Sequence, residues 1–531
     1  MIIWVVVGIG MLMLLNSIAG ISPAHEKKVM KKTIIWIHNV YELQNMSKDL
    51  NASYALANDI DATITKTWNN GAGFEPIGDN NNPFNGTFDG NGHKIINLWI
   101  NRSSQNYVGL FGCTSGNAVI ENVGLVNVSV SGNNYVGGLV GKNHGTISNF
   151  YATGNVSGHS NVGGLIGVNW GTVNNSYSTA SVSGSRDDVG GLVGYNYGIV
   201  NDSYAIGNVS GYNGIGGFIG YNYNGMVSNS YATGSVKGND DVGGLVGHNY
   251  NGTVSNSYAT GSVKGNGDVG GLVGDNSYST VSKSYATGNV NGNTWVGGLV
   301  GWNSHSTVSN SYATGNVNGD AWVGGLVGYN NNGTVNNSYS TGSVSGNGSV
   351  GGLVGLNDEG TVTASFWDIE TSGISYSDGG VGKTTAEMKN KITFTSAGWD
   401  FINVWGIIDG QTYPYLLWST VPRDLRAEAG DGFVNLTWKA PANKDGAQIT
   451  QYNIYRDGMK IATVPATQLW FNDTNVVNGQ TYTYYITAVN AAGESPKSNE
   501  VQATPGGNIP EMSIWLIGIL AIGLIFVKKK R

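Results

Sequence analysis

Side chains able to do acid–base or metal chemistry are few in this sequence, and they are scattered. Its seven histidines, His25, His38, His93, His144, His159, His248 and His305, share no zinc-ligand spacing. Two acidic pairs, Asp187-Asp188 and Asp240-Asp241, fall between apolar runs. Calcium is one reading of them, and solvated turn charge is the preferred one. The segment Asp378-Gly-Gly-Val-Gly-Lys-Thr-Thr385 has the glycines and Lys-Thr of a phosphate cradle. It lacks the preceding apolar strand, and Asp378 brings negative charge where phosphate would sit, so no nucleotide is expected. Gly265-Asn-Gly-Asp-Val-Gly270 fits Gly-x-Gly-x-x-Gly but enters a strand with no helix after it, so it too carries nothing. The expectation is a chain with no catalytic residues, no metal ligands and no cofactor.

Aromatic side chains offer more. Trp295 and Trp322 stand 27 residues apart, and so do Trp302 and Tyr329. Rings stacked at a fixed repeat would suit the apolar faces of sugars. These four residues are the candidate ligand site, with shielding of strand ends as the plainer alternative. Which elements could stack them follows from the same number. The octet Val242-Gly-Gly-Leu-Val-Gly-His-Asn249 returns at Val269, Val296, Val323 and Val350, each 27 residues on, and upstream at Val136, Val162, Val189 and Ile215. A fixed period of this size marks a repeat array.

One unit, Val242 to Asp268, has short β-branched or aromatic runs between Gly and Asn clusters, which is strand and turn chemistry. A unit this small buries nothing alone and must stack on its copies. In-register stacking pairs each strand with its own copy one coil later, so the sheets are parallel and like residues form ladders. The fold class is all-β: a parallel β-solenoid of 27-residue coils, read with three short strands per coil. Asn143, Asn169, Asn196, Asn222, Asn249, Asn276, Asn303, Asn330 and Asn357 form one ladder. Tyr151, Tyr177, Tyr204, Tyr231, Tyr258, Tyr285, Tyr312 and Tyr339, ending in Phe366, form another, free to stack or to fill the bore.

The copies of Gly-Gly-Leu-Val-Gly followed by Asn-Ser-Tyr-Ala-Thr-Gly resemble GLUG-motif repeats over about Val108 to Phe366. That resemblance implies surface display and adhesion-like roles, and implies no chemistry. The period stops by Val421. Phe433-Val-Asn-Leu-Thr-Trp438, Tyr452-Asn-Ile-Tyr-Arg456 and Thr481 to Asn490 then alternate as sandwich strands. With Trp438 as core plug and Tyr482 as tyrosine corner, 421–505 resembles a fibronectin type III domain. It has no Arg-Gly-Asp.

The remaining segments complete the layout. Residues 1–24 are an apolar run ending in small residues, read as a signal peptide or N-terminal anchor. Residues 34–105 carry a short helix behind Asn39, read as a lid, and irregular coils; 106–370 are the GLUG-type solenoid and 371–418 close it. Residues 506–512 form a linker, 513–527 an apolar membrane segment and 528–531 a basic tail that stays cytoplasmic unless processed. The layout Ile509-Pro-Glu-Met512, apolar run, basic cluster resembles archaeal PEF-CTERM sorting signals, with Met512 where that family has Phe. Only 11% of residues are charged and the net charge is −7, so no basic face for nucleic acid is expected. About fifteen Asn-x-Ser/Thr sequons occur, Asn85, Asn127, Asn155, Asn251, Asn347 and Asn435 among them. The single cysteine, Cys113, precludes an internal disulfide and reads as a buried small residue. The functional expectation is a non-enzymatic, membrane-anchored protein on the outer cell surface, structural or adhesive, whose partners are glycans or other surface proteins. The alternative is a polysaccharide-active enzyme on a β-helix.

Overall fold

The computed structural model describes residues 33–441, 448–491 and 493–506. The expected leader at 1–24, the membrane segment at 513–527 and the tail after it lie outside these residues. Among the described residues no helix is long and apolar enough to cross a membrane.

The repeat region is a parallel β-solenoid, and its register is that of the sequence ladders. Val242 pairs with Val269, Asn249 with Asn276, Val254 with Val281 and Tyr258 with Tyr285. Each coil holds more strands than the three read from sequence. In the coil of His248 they are Asp240–Gly243, Val246–Tyr250, Thr253–Ser255, Tyr258–Ala259 and Val263–Lys264. Glycines make the extra breaks where successive backbones touch. A Cβ on Gly244 would lie 2.0 Å from the Gly271 carbonyl oxygen one coil on, and one on Gly261 would lie 1.9 Å from that of Gly234 one coil back. Three residues per coil, here Asp241, Asn251 and Asn256, turn the chain with left-handed φ of 49°, 51° and 47°.

The bore is filled by one residue from each strand, Val242, Val246, Val254, Ala259 and Val263, and by Leu245 at the glycine arch; none is more than 1% exposed. The asparagine ladder runs beside this core as a continuous side-chain chain. Asn222 donates to Asn249 at 2.7 Å, Asn249 to Asn276 at 2.9 Å and Asn276 to Asn303 at 2.8 Å. Each buried amide thus pairs within the stack, which is what lets a polar column sit at zero exposure. At the start of the array Thr114 Oγ1 donates to Asn143 at 2.7 Å and ends the chain.

The tyrosine ladder does not fill the bore. Its rings stack on the outside, with centroids 4.6 to 5.2 Å apart and planes within 9°. The chain after the last coil folds back over them. Trp399, Trp405 and Leu416 bury themselves against Tyr258 to Phe366. The glycine-rich segment at 378–385 is part of this closure: Val381–Lys383 pairs with Phe366–Asp368, and Asp378 accepts the Asn357 amide at 2.8 Å.

The sandwich that follows lies along the same ladder. Trp438, Tyr452, Tyr484 and Ile486 form its core, and Tyr482 Oη accepts the Val477 amide at 3.0 Å, the corner bond expected of it. Arg423 donates to Tyr258 Oη at 2.7 Å and lies 5.0 Å over the ring of Tyr231. Lys439 donates to Tyr204 Oη at 3.0 Å and sits 4.4 Å over that ring.

At the opposite end, Asn39 caps a helix over Val40–Asn45 by accepting from the amides of Tyr41 and Glu42. Val40, Leu43 and Met46 are buried against the first coils.

Candidate functional site

Two variable columns bracket the Val-Gly-Gly-Leu-Val-Gly run. One is the residue that opens it: Tyr135, Asn161, Asp188, Gly214, Asp241, Asp268, Trp295, Trp322. The other precedes the asparagine ladder: Lys142, Val168, Tyr195, Tyr221, His248, Asp275, Trp302, Tyr329. The glycine arch brings them face to face. Gly247 passes so close to the coil before it that a Cβ would lie 2.5 Å from the Ile215 amide nitrogen. Every opening residue from Tyr135 to Trp322 has positive φ, between 36° and 65°. The result is a groove along one corner of the solenoid, lined by both columns.

Its C-terminal stretch is the predicted aromatic cluster. Trp295 lies 5.2 Å from Trp302 across the groove and 5.7 Å from Trp322 along it, and Trp302 lies 5.9 Å from Tyr329. All four residues are therefore one contiguous surface. They are half-buried rather than free in solvent, because the two columns shield each other. Tyr329 Oη donates to Asp358 at 3.0 Å and accepts from Asn331 at 3.0 Å. Trp295 and Trp322 hold φ of 47° and 52°, a region that bulky residues occupy at a cost of about 1–2 kcal/mol.

The middle stretch is acidic, and sequence reasoning missed it as a unit. Asp188, Asp241 and Asp275 converge here around His248, and Asp268 joins the cluster beside Asp240 and Asp241. His248 Nδ1 lies 3.4 Å from Asp241 and Nε2 lies 3.3 Å from Asp275. Asp268 is the most deeply buried of these acids, at 5% exposure, and the others are half-buried. Burial pushes the Asp188 carboxyl up to about 7, helped by Asp187. Burial likewise lifts Asp275 to about 6 against the pull of His248. For His248 burial works to lower the pKa, but the bond to Asp241 and the charges of Asp275, Asp241 and Asp188 raise it overall. The sequence signal was available in the first column, since a position that alternates Asn, Asp and Gly in successive coils is a left-handed corner.

The N-terminal stretch is a pocket of about 370 Å³ between stacked rings, also unforeseen. Tyr107 stacks on Tyr135 at 4.8 Å and Trp170 on Tyr197 at 3.6 Å. Lys142, Asn161 and Asp188 supply its polar groups, with Asn161 donating to Asp188 at 2.9 Å. Aromatic walls, a carboxylate, an amide and an ammonium in one cleft can hold a polyhydroxylated ligand by its faces and hydroxyls.

Known proteins resemble this chain in parts. The GLUG motif model matches residues 132–157, 211–237, 238–264 and 292–318, and the fibronectin type III domain model matches 420–504. Halomucin of Haloquadratum walsbyi is 48% identical over 117 residues, 21% of this chain and 1% of that protein. A Gly-rich membrane protein of Evansella cellulosilytica is 40% identical over 118 residues, 21% of this chain and 14% of its own length. An amylopullulanase of Thermoanaerobacter thermohydrosulfuricus is 32% identical over 160 residues, 28% of this chain and 10% of the enzyme. The chain thus spans a small fraction of each of these relatives. Fold, ladder register and matched models agree that it carries an array of GLUG-motif repeats followed by a fibronectin type III domain.

Proposed function

We propose that this protein is a non-enzymatic cell-surface component, structural or adhesive, whose corner groove binds glycan or wall polysaccharide. The carrying observation is the surface formed by Trp295, Trp302, Trp322 and Tyr329. Two of its indoles occupy backbone positions that disfavour them, at a corner where one other coil uses Tyr135 and the rest from Asn161 to Asp268 use Asn, Asp or Gly. Rings kept there despite strain, flanked along the groove by carboxylates and amides, suit a sugar chain lying across several coils. The GLUG-type array and the likeness to a Gly-rich membrane protein support placement at the cell surface. In this reading residues 1–24 export the chain and 513–527 anchor it.

The test is retention of the purified full chain on a panel of insoluble wall polysaccharides and immobilised glycans. The wild type should be retained on at least one. The double variant Trp295→Ala/Trp322→Ala, folded by circular dichroism, should be lost from it. Equal retention of the two proteins would remove the aromatic surface from the account. Release of reducing sugar from the same panel would replace the non-enzymatic reading with that of a polysaccharide-active enzyme using the groove's carboxylates.

A further inference from the structure

The acidic stretch of the groove is short of positive charge. Asp240 and Asp241 share one corner, and Asp268 stands one coil on, in register through the pairing of Val242 with Val269. In-register stacking of like charges is unfavourable. The same column shows that it is avoidable, because Asn161 and Gly214 serve the corner elsewhere. His248 is the cationic side chain in contact with the cluster, and it lies between Asp241 and Asp275. Asp240 and Asp268 belong to the same cluster through Asp241 and make no ion pair with it.

Both of those acids present an oxygen that nothing satisfies. Asp268 is 5% exposed, and among the described residues no donor reaches its Oδ1; Asp240 Oδ1 is buried and unpaired in the same way. A buried carboxylate left so must either take up a proton or meet a cation. The local fold makes room for these groups. Gly267 stands where a Cβ would lie 2.3 Å from Asp240 Oδ1, so any other residue would push that carboxylate out. One oxygen from each of Asp240, Asp241 and Asp268 lies within 4.8 Å of the other two. Oxygens bound to one calcium ion at about 2.4 Å are separated by up to about 4.8 Å.

From this geometry we propose that Asp240, Asp241 and Asp268 bind a divalent cation of the hard, oxygen-seeking class, calcium being the member that fits. The ligand set is all oxygen, which selects against zinc and copper. His248 positions the site from behind, since it touches Asp241, the acid common to both sides of the cluster. Without the ion, the carboxylates of Asp241 and Asp268 stack in register, one coil apart, and repel each other. The cation relieves that repulsion and ties two coils together, independently of whether the groove binds sugar.

The experiment uses the full chain stripped with EDTA, with calcium and then terbium as probes. Thermal unfolding should shift up on adding calcium at millimolar concentration and return on EDTA. Bound terbium should luminesce when the nearby tyrosines and tryptophans are excited, and calcium should compete it off. Asp268→Asn and Asp240→Asn should each weaken binding about tenfold or more, since each removes a charged ligand. Asp268→Asn should also make the stripped protein more stable than the stripped wild type, because the repulsion is gone, while losing the calcium response. That pairing separates loss of the site from loss of the fold. The proposal falls if the wild type shows neither the shift nor the luminescence, which would mean that Asp268 and Asp241 share a proton instead. It also falls if both variants respond as the wild type does.

Discussion

Trp295 offers a direct measurement of the strain stored at the groove. Its φ is 47°, and its indole contacts Trp302 at 5.2 Å and Trp322 at 5.7 Å. Replacement by Ala or by Asn removes the same ring. Half-burial of an indole corresponds to roughly 100 Å² and about 2.5 kcal/mol, and the stacking adds about 1 kcal/mol. Alanine keeps the left-handed penalty of about 1 kcal/mol, whereas asparagine adopts that conformation readily. Trp295→Ala should therefore cost about 3 kcal/mol and Trp295→Asn about 2 kcal/mol. The order is the opposite of what a side-chain-only view of a half-buried site would give, since Asn is the more polar. Urea unfolding followed by far-ultraviolet circular dichroism reads it, comparing midpoints at a common slope because stacked coils can melt in stages. If the alanine variant matches or exceeds the asparagine variant, strain at this corner is not part of the energetics. The case that these indoles are kept for binding then weakens with it.

Other outcomes follow from the same contacts. Asn249→Ala removes the bonds to Asn222 and Asn276 and leaves both neighbours half-satisfied, so the coils around it should lose about 3 kcal/mol, read as faster amide exchange confined to Ile219–Ser277. The double variant Arg423→Ala/Lys439→Ala removes three cation–ring contacts and two hydrogen bonds to the ladder, together about 3 kcal/mol, and should release the fibronectin module from the tyrosine ladder, seen as a larger radius of gyration in X-ray scattering. Cys113 is 2% exposed, and burial pushes its thiol up to about 12, so it should resist alkylation at pH 8 in the native chain and react fully in denaturant.

The sequence carried much of this architecture because stacking converts periodicity into contact. Once Asn249 and Asn276 are one period apart, their amides must meet, and the same holds for Tyr258 and Tyr285. Trp295 and Trp322 were legible as neighbours for that reason. What spacing along the chain does not encode is the angle between columns within a coil. Whether position 241 faces position 248 depends on the close approach of Gly243 and Gly247 to neighbouring stretches of backbone. Asp240-Asp241 was therefore read as solvated turn charge, and the buried Asp268 beside it emerged only with the arch. The strand count failed for a related reason, since the glycines at 243, 244 and 261 read as loop punctuation but divide ladders that continue on either side. The site of the fibronectin module was not legible at all. It depends on Arg423 and Lys439 meeting tyrosines some 165 and 235 residues upstream, and nothing periodic links them.

The folded-back module has a mechanical consequence. Its last strand, Val501–Ala503, lies near the solenoid's early coils, in a groove shared with Tyr151 and Tyr177, whereas the closing residues Trp399 and Trp405 cover the late ones. A pull applied beyond Gly506 would load the docked face first and in shear-free order, lifting one cation from one ring at a time. Unzipping of this kind yields at low force and re-forms when slack returns. The bore, whose coils are joined by many backbone and side-chain bonds, would be spared until the module had come away. The tyrosine ladder would then act as a reversible clutch, giving extension before any coil opened.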